Sequence, residues 1–295
     1  MASLGRVQAE PMRFVPAPAL GTIPTLTDRD MATIIRLVYE KSGIALHSGK
    51  RALVTARLQK LLRRSGFNTF REYLRNLEND KTGAELTAML DAIATNHTAF
   101  FREPQHFDFL TRFVLPALRE RADIEPIYAW SAACSSGEEP YTIAMTAFEQ
   151  FGTDARRLIQ ILASDLSTKA LMRAAAGVYK TERVDGIPRH LVLKYFDKHA
   201  AQPGTVRISE AVRRVVDFHQ LNLLGAAPRG RRFDFIFCRN VLIYFDRIVQ
   251  QRVVSQLEER LAPGGYLFTS HSESLNGLHH GLTWVAPAVY RRDQR

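Results

Sequence analysis

The sequence predicts an α/β chain: a doubly wound, mostly parallel sheet, preceded by an all-helical unit and interrupted by a small antiparallel insert. Three observations carry this expectation. Residues 126–146 read as strand, small-residue turn and helix: an apolar run at 127–130, small residues from Ser131 to Gly137, then Glu138-Glu139-Pro140 opening an apolar-periodic segment with Tyr141, Ala144, Met145 and Phe148. Proline fits that first turn because its missing N–H would be unpaired there anyway. Apolar strand-like runs recur at 158–163, 233–238 and 265–270, with an amphipathic helix between the last two at 248–261. The chain closes on two short runs, 283–285 and 288–290, arranged around Pro287 as an antiparallel pair.

The helical unit comes first. Residues 1–24 carry four prolines and little periodicity, so 1–25 are expected to form a loose tail. Thr27-Asp28-Arg29-Asp30 reads as an N-terminal cap before Met31, Ile34, Ile35 and Val38. After a break at Ser42-Gly43, residues 49–64 place Val54, Leu58, Leu61 and Leu62 on one helical face and Lys50, Arg57, Lys60 and Arg64 on another. Two shorter helices follow, at 70–77 and 85–93, completing an all-helical domain over 26–94. Residues 50–75 hold eight basic side chains against one acid, Glu72. That density favours a docking surface for an acidic partner over a merely solvated face.

The sheet domain is expected over 95–295. Residues 178–217 break its alternation with short strand-like runs at 206–208 and 215–218 around Gln202-Pro203-Gly204, and these are expected to form the inserted β-subdomain.

Bulk properties narrow the class. A chain of 295 residues suits one domain of about 200 residues plus a smaller one. With 46% hydrophobic and 24% charged residues it reads as an ordinary globular protein. It has neither an apolar run of about 18 residues nor a secretory signal pattern, and two cysteines are too few for a disulfide framework. A cytoplasmic protein without membrane insertion is expected. The formal charge of +10 predicts an acidic partner somewhere.

The ligand of the central turn is constrained by its acids. Two carboxylates at a helix start would repel a phosphate but suit a cationic, hydroxyl-bearing ligand. S-adenosylmethionine, with its ammonium, sulfonium and ribose, meets that requirement. Asp165, at the end of the second strand and 31 residues after Cys134, is placed to accept from ribose hydroxyls. Its competing role is a cap for the helix from Ser167 onward. A parallel sheet finished by an antiparallel edge strand is typical of class I S-adenosylmethionine-dependent methyltransferases.

Four stretches then resemble one family: Asn96-His-Thr-Ala-Phe-Phe-Arg102, Ser131-Ala-Ala-Cys-Ser-Ser-Gly-Glu-Glu-Pro-Tyr141, Phe233-Asp-Phe-Ile-Phe-Cys-Arg-Asn-Val-Leu-Ile-Tyr-Phe245 and His271-Ser-Glu273. Together, in this order, they are similar to the CheR family of chemotaxis-receptor glutamate O-methyltransferases. The resemblance covers about 26–292, helical domain included. It implies methylation of receptor glutamates from S-adenosylmethionine, leaving S-adenosylhomocysteine. It also implies cofactor contacts at Asn96, Thr98, Arg102, Glu139, Asp165, Asn222, Leu223, Arg239 and Asn240, with Tyr244 near the transferred methyl and Arg102 and Tyr244 as catalytic positions. The expected partner of Lys50, Arg57, Lys60 and Arg64 is the helical cytoplasmic domain of a chemoreceptor. The insert is a second candidate contact, for a receptor's C-terminal tail. The protein is expected to act as a monomer.

The chemistry agrees with that resemblance. A carboxylate is already a nucleophile at neutral pH, so no general base is required, and no nucleophile–histidine pairing is evident. Tyr244 could alternatively be a core aromatic and Arg102 a surface ion pair, while Glu138, His271 and Glu273 are expected to be structural. His279-His280 cannot share a helix face, and no metal is expected. Amino-methyltransferases of nucleic acid need an Asn/Asp-Pro-Pro-aromatic stretch after the fourth core strand. Here that position reads Arg239-Asn-Val-Leu-Ile-Tyr244, and no nucleic-acid substrate is expected. A vestigial fold that merely binds signalling helices is disfavoured by the intact Arg102, Glu139, Asp165, Asn240 and Tyr244.

Overall fold

The structure, a computed structural model, describes residues 24–93, 97–122, 124–226, 228 and 230–294. Most of the expected tail, and Asn96, therefore lie outside the described residues.

Four helices come first: α1 (Asp28–Ser42), α2 (Arg51–Ser65), α3 (Phe70–Asn79) and α4 (Ala84–Ile93). Their ends follow local chemistry. Thr27 and Asp30 form a capping box at α1, and Thr69 and Glu72 form another at α3, each satisfying two otherwise orphaned N–H groups. Gly43 and Gly66 terminate α1 and α2 in the left-handed conformation. The four helices share a core that includes Ile34, Val38, Leu58, Leu62, Tyr73 and Met89, each 2% exposed or less.

The remaining helices are α5 (Pro104–Phe109), α6 (Leu115–Ala122), α7 (Glu138–Phe151), α8 (Ala155–Leu158), α9 (Thr168–Ala176), α10 (Arg189–Tyr195), α11 (Glu210–Arg213) and α12 (Arg247–Arg260). The strands are β1 (Ile127–Ala132), β2 (Ile159–Asp165), β3 (Val178–Lys180), β4 (Phe196–Lys198), β5 (Thr205–Ile208), β6 (Val216–Gln220), β7 (Phe233–Cys238), β8 (Leu261–Phe268), β9 (Leu282–Ala286) and β10 (Val289–Arg292). Seven of them form one sheet in the order β6-β2-β1-β7-β8-β10-β9. The first five run parallel, while β10 is antiparallel to both β8 and β9. The strand order reverses between β1 and β7, where ligands bind in such sheets. Every residue of β7 is buried and β1 is nearly so, as expected of central strands covered on both faces.

The insert is smaller than the sequence suggested. β3, β5 and β4 form a three-stranded antiparallel sheet between Val178 and Ile208. The run at 215–218, expected in that insert, instead belongs to β6 and pairs in parallel with β2, from Ile161↔Val216 to Asp165↔Gln220. A short apolar run carries the same pattern in either sheet, so only its long-range partner decides.

The helical unit meets the sheet domain through specific bonds. Ile44 bridges antiparallel to Phe245, and the Ala45 N–H donates to the Tyr244 carbonyl at 2.8 Å. The Tyr39 hydroxyl donates to Asp246 at 2.6 Å. Among the described residues, no helix is long and apolar enough to cross a membrane.

Candidate active site

One cleft lies between the carboxyl ends of β1, β2 and β7 and the helical unit. Ser42, Ile44, Lys50, Leu53 and Arg57 line one side; Thr98, Arg102, Ala133, Ser135, Glu139, Asp165, Asn222, Leu223, Arg239, Asn240 and Tyr244 line the rest. All the described cofactor positions expected from the sequence therefore meet in one place.

The loop after β1 explains the need for small residues. Ala133, Ser135 and Gly137 have φ of +70°, +50° and +96°, with one residue between each. A bulky side chain in the left-handed region costs of order 1–3 kcal/mol. The turn is tied to the end of β2 by the Cys134 N–H, which donates to the Ser164 carbonyl at 2.8 Å. Elsewhere around the cleft, Asn240 has φ of +58°, and Phe101 (+52°) and Glu103 (+57°) flank Arg102.

Asp165 closes that turn. One carboxylate oxygen accepts from the Ser135 N–H and the other from the Ser167 N–H, both at 2.8 Å. The capping bonds leave room for the expected ligand contact, because each oxygen keeps a lone pair for a further donor. Burial pushes the Asp165 carboxyl up, and those two N–H groups pull against it.

A buried charge network fixes the acid of α7. Glu139 accepts from the Ser131 hydroxyl at 2.7 Å and from Arg239 Nη1 at 3.1 Å. Arg239 also donates to Glu103 at 2.9 Å and to the Arg102 carbonyl. Glu103 in turn accepts from the Ser270 hydroxyl at 3.0 Å. The Arg239 side chain is 1% exposed, against 18% for Glu103 and 12% for Glu139. Burial pushes Glu139 up while Arg239 and Ser131 oppose it. For Glu103 burial also acts upward, but Arg239 and Ser270 outweigh it and leave the carboxyl below its ordinary value. The guanidinium expected to touch a ligand is thus largely committed to holding Glu139 and the Arg102 backbone.

The other positions separate by what they touch. Arg102 reaches back to the His97 carbonyl at 3.0 Å and borders the cleft. Tyr244 sits on the 3-10 turn Leu242–Tyr244, half-buried against the cleft, while its neighbours Leu242 and Phe245 take the core positions. Asn222 bridges the Lys41 carbonyl and the Leu224 N–H, so its side chain braces the loop after β6. Glu138 faces away: it is buried, paired with Arg183 and hydrogen-bonded to the Ser136 hydroxyl. Of the basic positions on and beside α2, Lys50, Lys60 and Arg64 are exposed, whereas Arg57 is half-buried and donates to the Ile93 carbonyl. Lys50 and Arg57 border the cleft, and Lys60 and Arg64 lie further along α2.

Glu103, and the bond that the Ser131 hydroxyl makes to Glu139, escaped the sequence reading. Glu103 directly follows the Arg102 motif, which was the available signal. The cleft residues Ser42 and Ile44 carried none, because they reach the site only through packing.

The lining fits S-adenosylmethionine. Ser135 Oγ is buried without a protein partner, which leaves a hydroxyl for a ligand to satisfy. Asp165 and Glu139 offer acceptors for hydroxyls or an ammonium, Arg102 a fork for a carboxylate, and Leu166, Leu221, Leu223 and Val241 apolar surface for a base. Among the described residues, one cluster of metal-ligand type also occurs, with ligand atoms of Glu103, His106 and His271 within 4.8 Å of one another. Both Glu103 oxygens are already engaged by Arg239 and Ser270, and burial and then the Arg239 charge push His106 down to about 4. A fixed guanidinium beside these groups opposes a cation.

Comparison with known proteins agrees across both parts of the chain. The family model described as "CheR methyltransferase, SAM binding domain" matches residues 96–289, and "CheR methyltransferase, all-alpha domain" matches 29–94. A "Chemotaxis protein methyltransferase" of Borreliella burgdorferi is 37% identical over 273 residues, covering 91% of this chain and 95% of that protein. Proteins of the same description from Escherichia coli and Klebsiella aerogenes are 38% and 39% identical, each covering 90% of this chain and 91% and 90% of their own lengths.

Proposed function

The chain belongs to the CheR methyltransferase family, and we propose that it methylates glutamate side chains on the helical cytoplasmic domain of chemoreceptors. Methyl transfer from S-adenosylmethionine, in chemotaxis, is the activity of the family. Glutamate as acceptor and the receptor as docking partner are the finer reading. What chiefly supports it is one juxtaposition: Arg102 and Tyr244 share a cleft with Lys50 and Arg57 of the basic helical unit.

S-adenosylmethionine supplies a methyl group already activated on a sulfonium. The chain's own residues then have three tasks. Asp165, Glu139 and the small-residue turn hold the donor at the strand ends. Arg102 orients a carboxylate, either the donor's own or the acceptor's, without neutralising it fully. Tyr244 borders the transfer site. A carboxylate and a sulfonium become two uncharged groups at the reacting atoms, so exclusion of water favours the change. Positioning alone can contribute up to about 7–11 kcal/mol. No proton has to move, which agrees with the absence of a histidine among the described residues that pairs with a nucleophile in the cleft.

The tyrosine assignment is checked by kinetics. Tyr244→Phe is expected to slow methyl incorporation into a purified receptor cytoplasmic fragment by about 10-fold or more, with S-adenosylhomocysteine affinity nearly unchanged. An unaltered rate would remove Tyr244 from the reaction.

For docking, reversal of exposed charges is the informative change. Lys60→Glu together with Arg64→Glu should raise KM for the receptor fragment several-fold and flatten its dependence on salt, leaving kcat little altered. Arg57 is unsuitable for this test because its half-buried side chain also bonds the Ile93 carbonyl. Indifference of KM to both reversals would leave that face merely solvated.

A further inference from the structure

Tyr244 is placed by its backbone, and that backbone is gripped from two sides. On one side lies Glu273, 5% exposed. Its Oε2 accepts from the Asn240 N–H at 2.7 Å and the Ser270 N–H at 2.9 Å, and its Oε1 accepts from the Ile243 N–H at 3.3 Å. A single carboxylate thus spans the end of β8 and both ends of the turn that leads to Tyr244. Its own position is set by a tight turn: the Glu273 N–H donates to the Ser270 carbonyl at 2.8 Å, and the Thr269 hydroxyl donates to the Glu273 carbonyl at 3.0 Å. On the other side, the Ala45 N–H and the Ile44–Phe245 bridge hold the Tyr244 carbonyl and the residue after it.

We infer that Glu273 is a positioning residue for methyl transfer, holding the 240–244 turn so that the Tyr244 ring borders the cleft. The inference rests on the catalytic reading of Tyr244. A buried carboxylate held by amides, rather than by a cation, is a costly choice where only packing is required. It suits a segment whose N–H groups must be satisfied in an unusual shape: Asn240 has φ of +58°, a conformation that persists only when its surroundings impose it. Burial raises the Glu273 carboxyl, and the backbone N–H groups of Ser270, Asn240 and Ile243 oppose that rise, as expected of an acceptor stabilised by amide dipoles. Glutamine at 273 would present an NH2 group to N–H donors that now meet a carboxylate oxygen.

The experiment is a double-mutant cycle on the full chain with Glu273→Gln and Tyr244→Phe, measuring methyl transfer from S-adenosylmethionine to a receptor cytoplasmic fragment. Glu273→Gln is expected to lower kcat about 10- to 100-fold, with KM for the receptor within about 2-fold. Adding Tyr244→Phe to it should then cost less than about 3-fold more, because the tyrosine is already displaced. A kcat unchanged by Glu273→Gln, or losses that simply multiply, overturns the inference. If Tyr244→Phe alone has no effect, the catalytic reading of the tyrosine fails and carries this inference down with it. Should Glu273→Gln not fold, Glu273→Asp keeps the charge but shortens the reach. Its amide hydrogen exchange should rise in 239–245 and stay unchanged in the rest of the sheet; a uniform rise, or none, means that the carboxylate serves only the fold.

Discussion

Asp165→Ala is expected to weaken S-adenosylhomocysteine binding by about 100-fold, or roughly 3 kcal/mol, the worth of two hydrogen bonds to a charged acceptor. The loss has two sources. Lone pairs available to ribose hydroxyls disappear, and the Ser135 and Ser167 N–H groups lose their acceptor at 2.8 Å. Released from Asp165, the turn through Ala133 and Ser135 has less to hold its left-handed torsions. Asp165→Asn separates these effects. An amide can keep one carbonyl acceptor for the turn, so it should fall between wild type and alanine. Isothermal titration reads both affinities, and full affinity in Asp165→Ala would remove the ribose assignment. Thermal unfolding of the same variants reads the second source, because the Ser135 and Ser167 N–H groups lose their acceptor whether or not a ligand is bound.

Arg239→Met should produce the largest loss of stability. The substitution strands Glu103 and Glu139, whose carboxylates are 18% and 12% exposed and lose their cation. Breaking a buried pair from one side costs about 3–5 kcal/mol, which lowers Tm on the order of 10 °C in a domain of this size. The sign can be verified by rescue. Adding Glu103→Gln and Glu139→Gln removes the stranded charges and should restore most of the Tm, since an uncharged trio of similar volume carries no unpaired ion. Cofactor affinity should not return, because the acidic acceptor of α7 is then gone. A Tm that is insensitive to Arg239→Met would mean that water reaches both carboxylates.

The legible part of this protein lay in short stretches. The strand, turn and helix at 126–146 could be read because apolar residues at the strand spacing, three small residues at left-handed positions and acids with a proline in a first helical turn each act within a few residues. The helix start at Thr27 is of the same kind. That Asp165 borders the cleft was legible from its place at a strand end, and that Tyr244 does so from a motif after β7. The basic face of α2 was visible from its spacing, yet Arg57 turned out to differ from Lys50, Lys60 and Arg64 because α4 packs beside it.

The sequence by itself determined the alternation of elements, the helix ends, the acid at the end of β2 and the density of positive charge on the helical unit. Only the tertiary structure decided that Arg239 serves Glu103 and Glu139, at separations of 136 and 100 residues, that Val216–Gln220 joins the large sheet, and that Ile44 and Ala45 grip the turn of Tyr244. The division has a physical cause. Torsional preference and the side-chain period act between neighbours along the chain, whereas ion pairing and strand partnering depend on distance in space, which is set once the whole core has closed.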